Sequence, residues 1–527
     1  MQPFAYNLTL VLLFAGAAAV GIWFLKWKKD WLLLDRFLAG LAAVGVLVLA
    51  GICVGGVLRA PFFGWNGARL APTFALVNGY RLYYPDGIGP VLNTIYGPVT
   101  ALVYLPATLA QSPTSALIVA SVVSMTLVFA PVAWLMARTR RWGVALAALL
   151  CFGLLAMHSY PVKYAAFCVH ADAPALGLAG LACAAIYLRK DAEEWKLLGA
   201  SAVLAVLSVW AKQTMVLMPV ALAVCVLWLF GMASFKRYLL ALCGAGAVVT
   251  VALVLVFGWE PLFFNLVKVP SHHPWQGERM GCLLQAVQEL VVSSAFPLAV
   301  IVIGFLVRRR WGSSMGRWPL FAVVGAVNTP AALLNLVKAG GDLNALSLSV
   351  YFWLLAAMLL FVETAGAEDN NRLANGAKGV LAVLLVGLLV GTPVRLRNLP
   401  AVWQVLANNQ QERACGILRQ NPGRVYFPDN PLAHLMAEHK LYHLSYGLID
   451  RKLGGFPVGE KHFSAHIPPG MSAVVFGSLC APADKETQET ILWYLPEFVL
   501  RGKDPYGWTI YTRTNNVAAP PGKTPGL

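Results

Sequence analysis

The sequence predicts an α-helical polytopic membrane protein of about 12 to 13 spans, followed by a small α/β domain outside the membrane. Of its 527 residues, 58% are hydrophobic and only 12% are charged, whereas about 25% are charged in an ordinary soluble domain. Apolar stretches close to the roughly 20 residues that a bilayer requires recur up to residue 392. Beyond about Arg395, charged residues, Pro and Gly are interspersed and no such stretch occurs. These observations exclude a soluble single-domain protein.

The apolar stretches define the predicted spans in order. The first lacks a basic segment before it and a small-residue cleavage site, so it is predicted to be a retained anchor and not a signal peptide. The predicted spans lie near residues 6–25, 37–57, 115–137, 143–158, 172–188, 197–211, 214–232, 238–258, 288–307, 318–336, 344–363 and 377–392.

Lys and Arg residues concentrate in alternate loops between these spans. One set of loops contains the basic runs 26–29, 138–141 and 308–310, whereas the opposite set is poorer in basic residues. Because basic loops stay on the cytoplasmic side, the N-terminus and the C-terminal domain are both predicted to lie outside. The net charge of +16 is therefore interpreted as a topology signal and not as a nucleic-acid-binding surface.

The longest external loop of the membrane region is predicted at 58–92. The following segment, 93–111, is apolar but is interrupted by Gly97-Pro98 and Pro106. If it crossed the membrane, every later basic loop would change sides, so we predict a juxtamembrane or re-entrant segment at the outer interface. The two interpretations differ by one crossing.

A hairpin is predicted within residues 197–232. A single helix of that length would measure about 54 Å, too long for a hydrocarbon core of about 30 Å. The polar interruption in this stretch is 210–214, which places Lys212 at the outer surface. An interfacial lysine that reaches for water is the structural alternative to a role in phosphate binding.

Charged residues at the outer face are the candidates for a functional site, because charges at a membrane edge are costly and usually retained for function or pairing. Basic side chains there are suited to hold the phosphate of a lipid-linked substrate. Asp172 begins an apolar span, where a carboxylate of raised basicity is suited to deprotonate an incoming hydroxyl group. The structural alternative for Asp172 is a helix N-terminal acid.

Six short motifs follow one another through the membrane region. They are a Gly-x-x-x-Tyr element at 79–83, Tyr96-Gly97-Pro98, Asp172 at the start of a span, Lys212 between two spans, an aromatic and His/Arg-rich stretch from Phe263 to Arg279, and a Lys-x-Gly turn from Lys338 to Asn344. Their order resembles that of the GT-C class of membrane glycosyltransferases, especially the branch of the aminoarabinose transferase and the protein O-mannosyltransferases.

The resemblance implies transfer of a sugar from a polyprenyl-phosphate donor to a lipid, glycan or protein acceptor, at the outer face of a bacterial inner membrane. Asp172 is the first candidate for the catalytic residue, and Asp86 is the second. The residues assigned to the donor phosphate are Arg69, Arg81, Lys212, His272, His273, Arg279 and Lys338. Asp342 and Asn344 are assigned to the acceptor or to their own loop.

The chain departs from the resembled class in its first external loop, where an acid is usual. Residues 63–69 contain none, and the nearest carboxylate is Asp86, whose Pro-Asp-Gly context is also typical of a turn. The sequence leaves open whether Asp86 substitutes, whether Asp172 acts alone, or whether activity has changed or been lost. Structural roles also remain open elsewhere: His272 and His273 as polar loop residues, and Lys338 and Asp342 as an ion pair.

Two other functions remain open: a transporter or flippase of lipids or solutes, and a non-catalytic membrane scaffold with a degenerate site. A transporter is expected to carry polar residues at mid-span and inverted repeats of broken helices, which this sequence lacks. Membrane lipids are expected partners and nucleic acids are not. No cofactor is predicted, and assistance by a divalent metal stays open.

The domain boundaries predicted from composition are 1–392 for the membrane region, 393–515 for the external domain and 516–527 for a disordered tail. Strands are predicted at 424–427, 472–476 and 508–511, and helices at 431–438 and 485–494. Cys415 and Cys480 both fall in the external domain and are candidates for a disulfide.

Overall fold

The computed structural model describes residues 31–92, 95–139, 142–190, 195–310, 316–366, 371–391, 406, 409–477, 483–505 and 507–514. The predicted span 6–25, the cysteine Cys480 with its predicted disulfide, and the tail 516–527 lie outside these residues.

The described part of the membrane region is mainly helical, and its longest non-helical stretch lies between Val77 and Pro98. Its α-helices are Trp31–Leu58, Gly64–Val77, Pro98–Val103, Pro113–Ala137, Trp142–His158, Tyr160–Phe167, Asp172–Leu188, Trp195–Ala211, Met218–Phe257, Trp259–Phe263, Val269–His272, Arg279–Arg310, Pro319–Val337, Ser347–Ala365 and Asn371–Val390. Within the described residues, seven helical stretches are long and apolar enough to cross a membrane, or eight if the bent pair Trp142–His158 and Tyr160–Phe167 is one span. The protein is therefore an integral membrane protein.

Helix Ser347–Ala365 forms the centre of the helical bundle. All of its residues except Glu363 are buried, and it packs against Pro319–Val337, Arg279–Arg310 and Trp142–His158. Its sequence is apolar on every side, which is the pattern expected for a helix surrounded by other helices. Met218–Phe257, by contrast, exposes large apolar side chains such as Leu240 and Leu255, which suits a surface in contact with lipid.

Two predicted helix breaks occur in the structure. Helix Trp195–Ala211 ends where a hairpin was predicted, and a 3₁₀ turn at Gln213–Leu217 leads into the next helix. The predicted spans 214–232 and 238–258 meet at Gly231, whose φ of 77° lies in the left-handed region that glycine adopts readily. The predicted turn at 233–237 is thus reduced to a kink at Gly231.

The segment between the first external loop and helix Pro113–Ala137 does not form a long helix. Residues Pro98–Val103 form one short α-helix and Leu105–Leu109 a 3₁₀ helix. A six-residue α-helix rises by only about 9 Å, far less than a bilayer core, so neither piece is long enough to span a membrane by itself. The juxtamembrane or re-entrant position of 93–111 stays a prediction.

The C-terminal part contains a four-stranded sheet in the order β1-β2-β4-β3. The strands are Val425–Tyr426 (β1), Ala473–Phe476 (β2), Phe498–Lys503 (β3) and Thr509–Arg513 (β4). β1 pairs parallel to β2, and both other pairings are antiparallel. The helices are Gln410–Gln420, Pro431–Glu438, Ser445–Leu453, Glu460–Ala465 and Ala483–Trp493. The predicted strands and helices are present, and β3 is an additional strand.

Helix Ser445–Leu453 connects the sheet domain to the first external loop. Just before it, the Leu444 N–H donates to the Val91 carbonyl at 2.9 Å, and within it the Tyr446 ring lies 3.7 Å from that of Trp65. Gly447 allows the helix to approach closely, because a Cβ atom there would lie 2.5 Å from the Leu92 carbonyl oxygen. The sheet domain is therefore seated on the first external loop.

Candidate active site

A buried cluster surrounds the Asp172 carboxylate at the start of helix Asp172–Leu188. Lys212 Nζ donates to Oδ1, and Asn344 Nδ2 donates to Oδ2 at 2.7 Å. His170 Nδ1 lies 2.6 Å from Oδ2. The Asp172 and Lys212 side chains are 0% and 1% exposed, respectively. The cluster thus joins three residues that are at least 40 positions apart along the chain, with two of the predicted site residues bonded directly to Asp172.

The hairpin that carries Lys212 is held by the preceding Gly-Pro segment. Gly97 lies against the Trp210 carbonyl oxygen so closely that any Cβ atom would overlap it. Thr100 Oγ1 donates to the Ala211 carbonyl oxygen at 2.8 Å. Glycine is therefore required at position 97 because the hairpin backbone occupies the space of a side chain.

His170 is fixed on both sides of its ring and at its backbone. Its Nε2 lies 3.1 Å from the Tyr96 hydroxyl group, and its carbonyl accepts a 2.9 Å hydrogen bond from the Tyr104 hydroxyl group. Just before it, the Val169 N–H donates to Asn66 Oδ1 at 3.0 Å. These bonds orient the imidazole toward Asp172, so the first external loop helps to build the cluster.

A partly open cleft lies beside this cluster. Its open volume is about 430 Å³, and its lining includes Arg69, Tyr96, Tyr104 and His170. The Arg69 guanidinium donates to the Tyr164 hydroxyl group, and its centre lies 5.6 Å from the Tyr164 ring. The cleft therefore presents a cation and aromatic hydroxyl groups, with the Asp172 cluster behind its His170 wall.

A second group of predicted residues joins three loops. Lys338 Nζ donates to the His273 carbonyl oxygen at 2.7 Å, so Lys338 does not pair with Asp342. His273 Nε2 lies 3.0 Å from the Asp450 carbonyl oxygen. Burial lowers the pKa of His273, which keeps this imidazole neutral and able to donate through Nε2.

Asp342 belongs to a chain of aromatic side chains that leads to the cleft. Its Oδ2 accepts a 3.1 Å hydrogen bond from the Tyr160 hydroxyl group, and the Tyr160 ring lies 5.9 Å from that of Tyr164. Tyr164 in turn contacts Arg69. The loop that supplies Asn344 to the Asp172 carboxylate is therefore also linked, through Tyr160 and Tyr164, to the cleft residue Arg69.

Among the described residues, four of the predicted site residues do not belong to these clusters. The Asp86 side chain is 58% exposed and forms an ion pair of 2.8 Å with Arg451. Burial lowers the pKa of Arg451, and the Asp86 charge opposes that shift. Arg81, His272 and Arg279 are exposed.

Sequence reasoning did not select Tyr96, Tyr104, Tyr164 and His170 as site residues. The sequence could have indicated two of them, since Tyr96 precedes the Gly-Pro motif and His170 stands two residues before Asp172. It does not indicate Tyr104 or Tyr164, because aromatic residues near a membrane interface are common for other reasons. Among the residues that the structure describes, no group of three or more His, Cys, Asp or Glu side chains is arranged to hold a metal ion.

Comparison with known proteins identifies the fold. No protein-family model and no curated protein sequence matches this chain. The solved structure of ArnT from Cupriavidus metallidurans bound to undecaprenyl phosphate is similar, with a TM-score of 0.57 and 12% identity over 94% of this chain and 100% of that chain. ArnT in the apo state gives a TM-score of 0.54 and 14% identity over 91% of this chain and 100% of that chain.

A weaker similarity extends to the oligosaccharyltransferase AglB from Archaeoglobus fulgidus in complex with an inhibitory peptide and a dolichol-phosphate. Its TM-score is 0.42 at 13% identity, over 90% of this chain and 75% of that chain. The likeness to ArnT extends over both the helical bundle and the sheet domain. The chain therefore has the fold of ArnT, and its predicted resemblance to GT-C glycosyltransferases is confirmed at the level of the fold.

Proposed function

We propose that this protein is a glycosyltransferase that moves a sugar from a polyprenyl-phosphate donor to a lipid, glycan or protein acceptor. The observation that carries the proposal is the buried Asp172, Lys212, His170 and Asn344 cluster behind a cleft that contains Arg69. Buried charges at a membrane edge are retained at a cost, which favours a functional role. The fold shared with ArnT, whose structure holds undecaprenyl phosphate, supports the class of donor.

Within this proposal, Asp172 organises the site. An ammonium group, an imidazole and an amide surround its carboxylate, so both oxygens are engaged. A carboxylate bonded in this way holds its partners in place and is a poor proton acceptor. Asp172 thereby fixes the buried Lys212 ammonium and the His170 ring, and the His170 ring lines the cleft.

Arg69 is the residue proposed to contact the donor phosphate first. It lines the cleft, and its guanidinium is held between the Trp65 and Tyr164 rings at 5.3 and 5.6 Å. A planar guanidinium matches the geometry of phosphate oxygens and is already oriented by its aromatic neighbours. Lys212 and Lys338 supply further positive charge, while the exposed Arg81, His272 and Arg279 are proposed to act at the rim of the site.

We further propose that the cleft and the sheet domain face the extracytoplasmic side of a bacterial inner membrane. The support is that Arg189, Arg308 and Arg317 lie at the opposite ends of the helices, in loops that the positive-inside rule assigns to the cytoplasm. With the segment 6–25 as a further span, the proposed topology has about 12 spans in residues 1–392, followed by an external domain at 393–515 and the tail 516–527.

The test uses the full-length protein in nanodiscs with tritiated undecaprenyl phosphate. Saturable binding is expected, and Arg69→Met and Lys212→Met should each weaken it by at least about tenfold, the effect of losing one charged contact. Arg59→Met, in the same external loop but exposed and not assigned to the site, is the matched control and should change affinity by less than about twofold. An equal loss in all three variants would indicate general surface charge and contradict the proposed site.

Catalysis is tested with a panel of undecaprenyl-phosphate-linked hexoses and pentoses in the same nanodiscs. Mixed hydroxyl-bearing envelope lipids serve as acceptors, and the release of undecaprenyl phosphate is measured. At least one donor should be consumed by the wild type and none by Asp172→Asn. A protein that moves intact labelled lipid between the leaflets of liposomes, without releasing undecaprenyl phosphate, would be a flippase. A protein that does neither would be a scaffold.

A further inference from the structure

The proposed reaction needs a proton acceptor, and the two carboxylates predicted for that role are both engaged. Asp172 is bonded by Lys212, His170 and Asn344. Asp86 is exposed and paired with Arg451. The lining of the cleft contains Arg69, Tyr96 and His170 but no carboxylate in the described part of the chain.

The C-terminal domain brings another carboxylate to this place. Asp450 lies in helix Ser445–Leu453, and its Oδ2 atom is buried without a hydrogen-bond partner among the described residues. An unpartnered buried carboxylate oxygen is costly, so it calls for an explanation by function or by a ligand. The helix of Asp450 reaches the cleft region through Tyr446, whose ring lies 3.7 Å from that of Trp65, and the cleft residue Arg69 contacts the same Trp65 ring.

The backbone of Asp450 is fixed from two directions. Its carbonyl oxygen lies 3.0 Å from His273 Nε2 and also accepts a 3.0 Å hydrogen bond from the Gly454 N–H. One helical turn earlier, Tyr446 stacks on Trp65, and the Arg69 guanidinium lies 5.3 Å from the same Trp65 ring. Asp450 and Arg69 are thus placed on the two sides of one contact between the sheet domain and the first external loop.

The surroundings of Asp450 suit reversible proton transfer near neutral pH. Burial raises the pKa of Asp450 to about 7, while the positive charge of Arg69 opposes this shift. The Asp450 charge also acts on Tyr96, and the Asp450 backbone carbonyl oxygen lies 3.0 Å from Nε2 of the His273 imidazole. A general base is most effective when its pKa lies near the operating pH.

We propose that Asp450 is a catalytic residue supplied by the C-terminal domain, which accepts the proton of the acceptor's nucleophilic hydroxyl group. This inference rests on the proposed glycosyltransferase function. The acceptor oxygen forms a bond to the anomeric carbon of the sugar, and the bond between that carbon and the phosphate oxygen breaks. Undecaprenyl phosphate leaves with the bonding electron pair, the acceptor proton passes to Asp450 Oδ2, and Asp450 then releases that proton to water. The missing acid of the first external loop is thereby replaced from a distant part of the chain.

The first test compares Asp450→Asn and Asp450→Glu in the full-length protein in nanodiscs, using the donor panel and the lipid acceptors described above. Asp450→Asn should lower transfer by at least about 100-fold, the usual contribution of a general base, while undecaprenyl phosphate binding changes by less than about twofold. Asp450→Glu should recover part of the transfer. The matched control is Glu497→Gln, an exposed carboxylate of the same domain that pairs with Arg513 and should transfer normally.

The pH dependence separates a catalytic role from a structural one. Wild-type transfer should rise as Asp450 loses its proton around pH 7, and Asp450→Asn should lack this rise. A second readout does not depend on transfer: a hydrophobic carbodiimide, which reacts with protonated carboxyl groups, should label Asp450 more at pH 6 than at pH 8.5, as followed by mass spectrometry.

The outcomes distinguish this inference from the proposed function. If Asp450→Asn transfers sugar at the wild-type rate, the protein is a glycosyltransferase and the role of Asp450 is refuted. The role is also refuted if Asp450→Asn loses binding together with transfer, or if carbodiimide labelling does not change with pH. If the wild type itself releases no undecaprenyl phosphate from any donor, both proposals fail together.

Discussion

Helix Asp172–Leu188 leads from one buried polar cluster to another, and the two clusters are built differently. At its first end, the Asp172 carboxylate is bonded to His170, two residues before it, and to side chains of two other segments, and a cleft lies beside them. At its last end, Glu363 accepts hydrogen bonds from the backbone N–H groups of Arg317 and Trp318 at 3.0 and 2.9 Å. The Tyr187 hydroxyl group donates to the same Glu363 oxygen at 3.0 Å.

The difference lies in what the charged groups bind. Near Leu188, the Arg189 and Arg317 guanidinium groups pack over the Phe230 ring at 4.4 and 5.2 Å, and Arg317 also donates to the Tyr187 carbonyl oxygen at 2.9 Å. These contacts join helix ends to one another and satisfy backbone groups. Near Asp172, by contrast, the His170 side chain that is bonded to the carboxylate also lines a cleft. The two ends of the helix therefore differ in that only the Asp172 cluster has a described partner facing open space.

The largest effect is expected when the Asp172 and Lys212 pair is broken. Asp172→Asn or Lys212→Met alone leaves one buried charge without its partner and should lower the free energy of unfolding by about 3–5 kcal/mol. Transfer should fall by at least about 100-fold. The double variant should recover part of the stability but none of the transfer, as measured by thermal unfolding and donor release. Wild-type transfer by the double variant would contradict a functional role for this cluster.

A substitution at the opposite end of the helix should lower the stability of the protein and not its transfer activity. Glu363→Ala removes the acceptor of three hydrogen bonds and should lower the free energy of unfolding by about 3 kcal/mol. Transfer per folded molecule should stay within about twofold, because the site is not contacted. Both are measured in nanodiscs, with Glu497→Gln as the exposed control. If Glu363→Ala lost transfer activity but kept full stability, the proposed difference between the two ends of the helix would be wrong.

Gly97→Ala tests whether the Gly-Pro segment sets the position of Lys212. The added methyl group collides with the Trp210 carbonyl oxygen and must displace the hairpin. Because a misplacement of about 1 Å in a catalytic site costs up to about 100-fold, transfer should fall by about 10- to 100-fold. Gly199→Ala is the matched control, since that glycine lies in helix Trp195–Ala211 with open space at its Cβ position. Equal behaviour of the two variants would show that the close contact at Gly97 is unimportant.

The contact between the sheet domain and the first external loop should weaken in acid. Burial lowers the pKa of His443 from 6.5 to about 3, and its neutral Nδ1 accepts a 2.9 Å hydrogen bond from the Val91 N–H. The unfolded chain binds a proton below pH 6.5 and the folded chain does not, so stability falls from pH 6.5 towards pH 3. At pH 5 the expected loss is about 2 kcal/mol.

His443→Asn checks this pH dependence. Its side-chain oxygen replaces Nδ1 as the acceptor but does not titrate, so its stability at pH 7.5 and pH 5 should differ less than that of the wild type. The comparison is made by thermal unfolding in nanodiscs. An unchanged difference between the two pH values would assign the acid sensitivity to other groups, such as His434, whose pKa burial also lowers.

The smallest effect is expected at Asp86. Its side chain is 58% exposed, and exposed ion pairs contribute about 0–1 kcal/mol, so Asp86→Asn should change the unfolding free energy by less than about 1 kcal/mol. Transfer should stay within about threefold of the wild type, because Asp86 bonds to Arg451 and not to the cluster. A loss of about 100-fold would make Asp86, and not Asp450, the proton acceptor.

Much of the fold was predictable, because the thickness of the bilayer and the stiffness of the chain constrain residues that are neighbours in the sequence. The stretch 197–232 is too long for one span, and its polar residues at 210–214 mark the break. The burial of Lys212 was not predictable, because its partner Asp172 stands 40 positions earlier in the chain. The residues around each of the two give no indication that they pair. The break lies at Gly231, whose φ of 77° glycine adopts readily, and not at the basic residues after it, which were predicted to form the turn.

The sequence by itself determined an integral membrane protein with a C-terminal α/β region, because hydrophobicity, span length and strand alternation are properties of neighbouring residues. It also supplied the candidates Asp172, Lys212 and Asn344, because charged and polar groups at the ends of apolar stretches are few. Only the tertiary structure joined them, exposed Asp86 to solvent, and packed helix Ser445–Leu453, which carries Asp450, against the first external loop. Those pairings depend on contacts between segments up to several hundred residues apart, and no local pattern encodes such contacts.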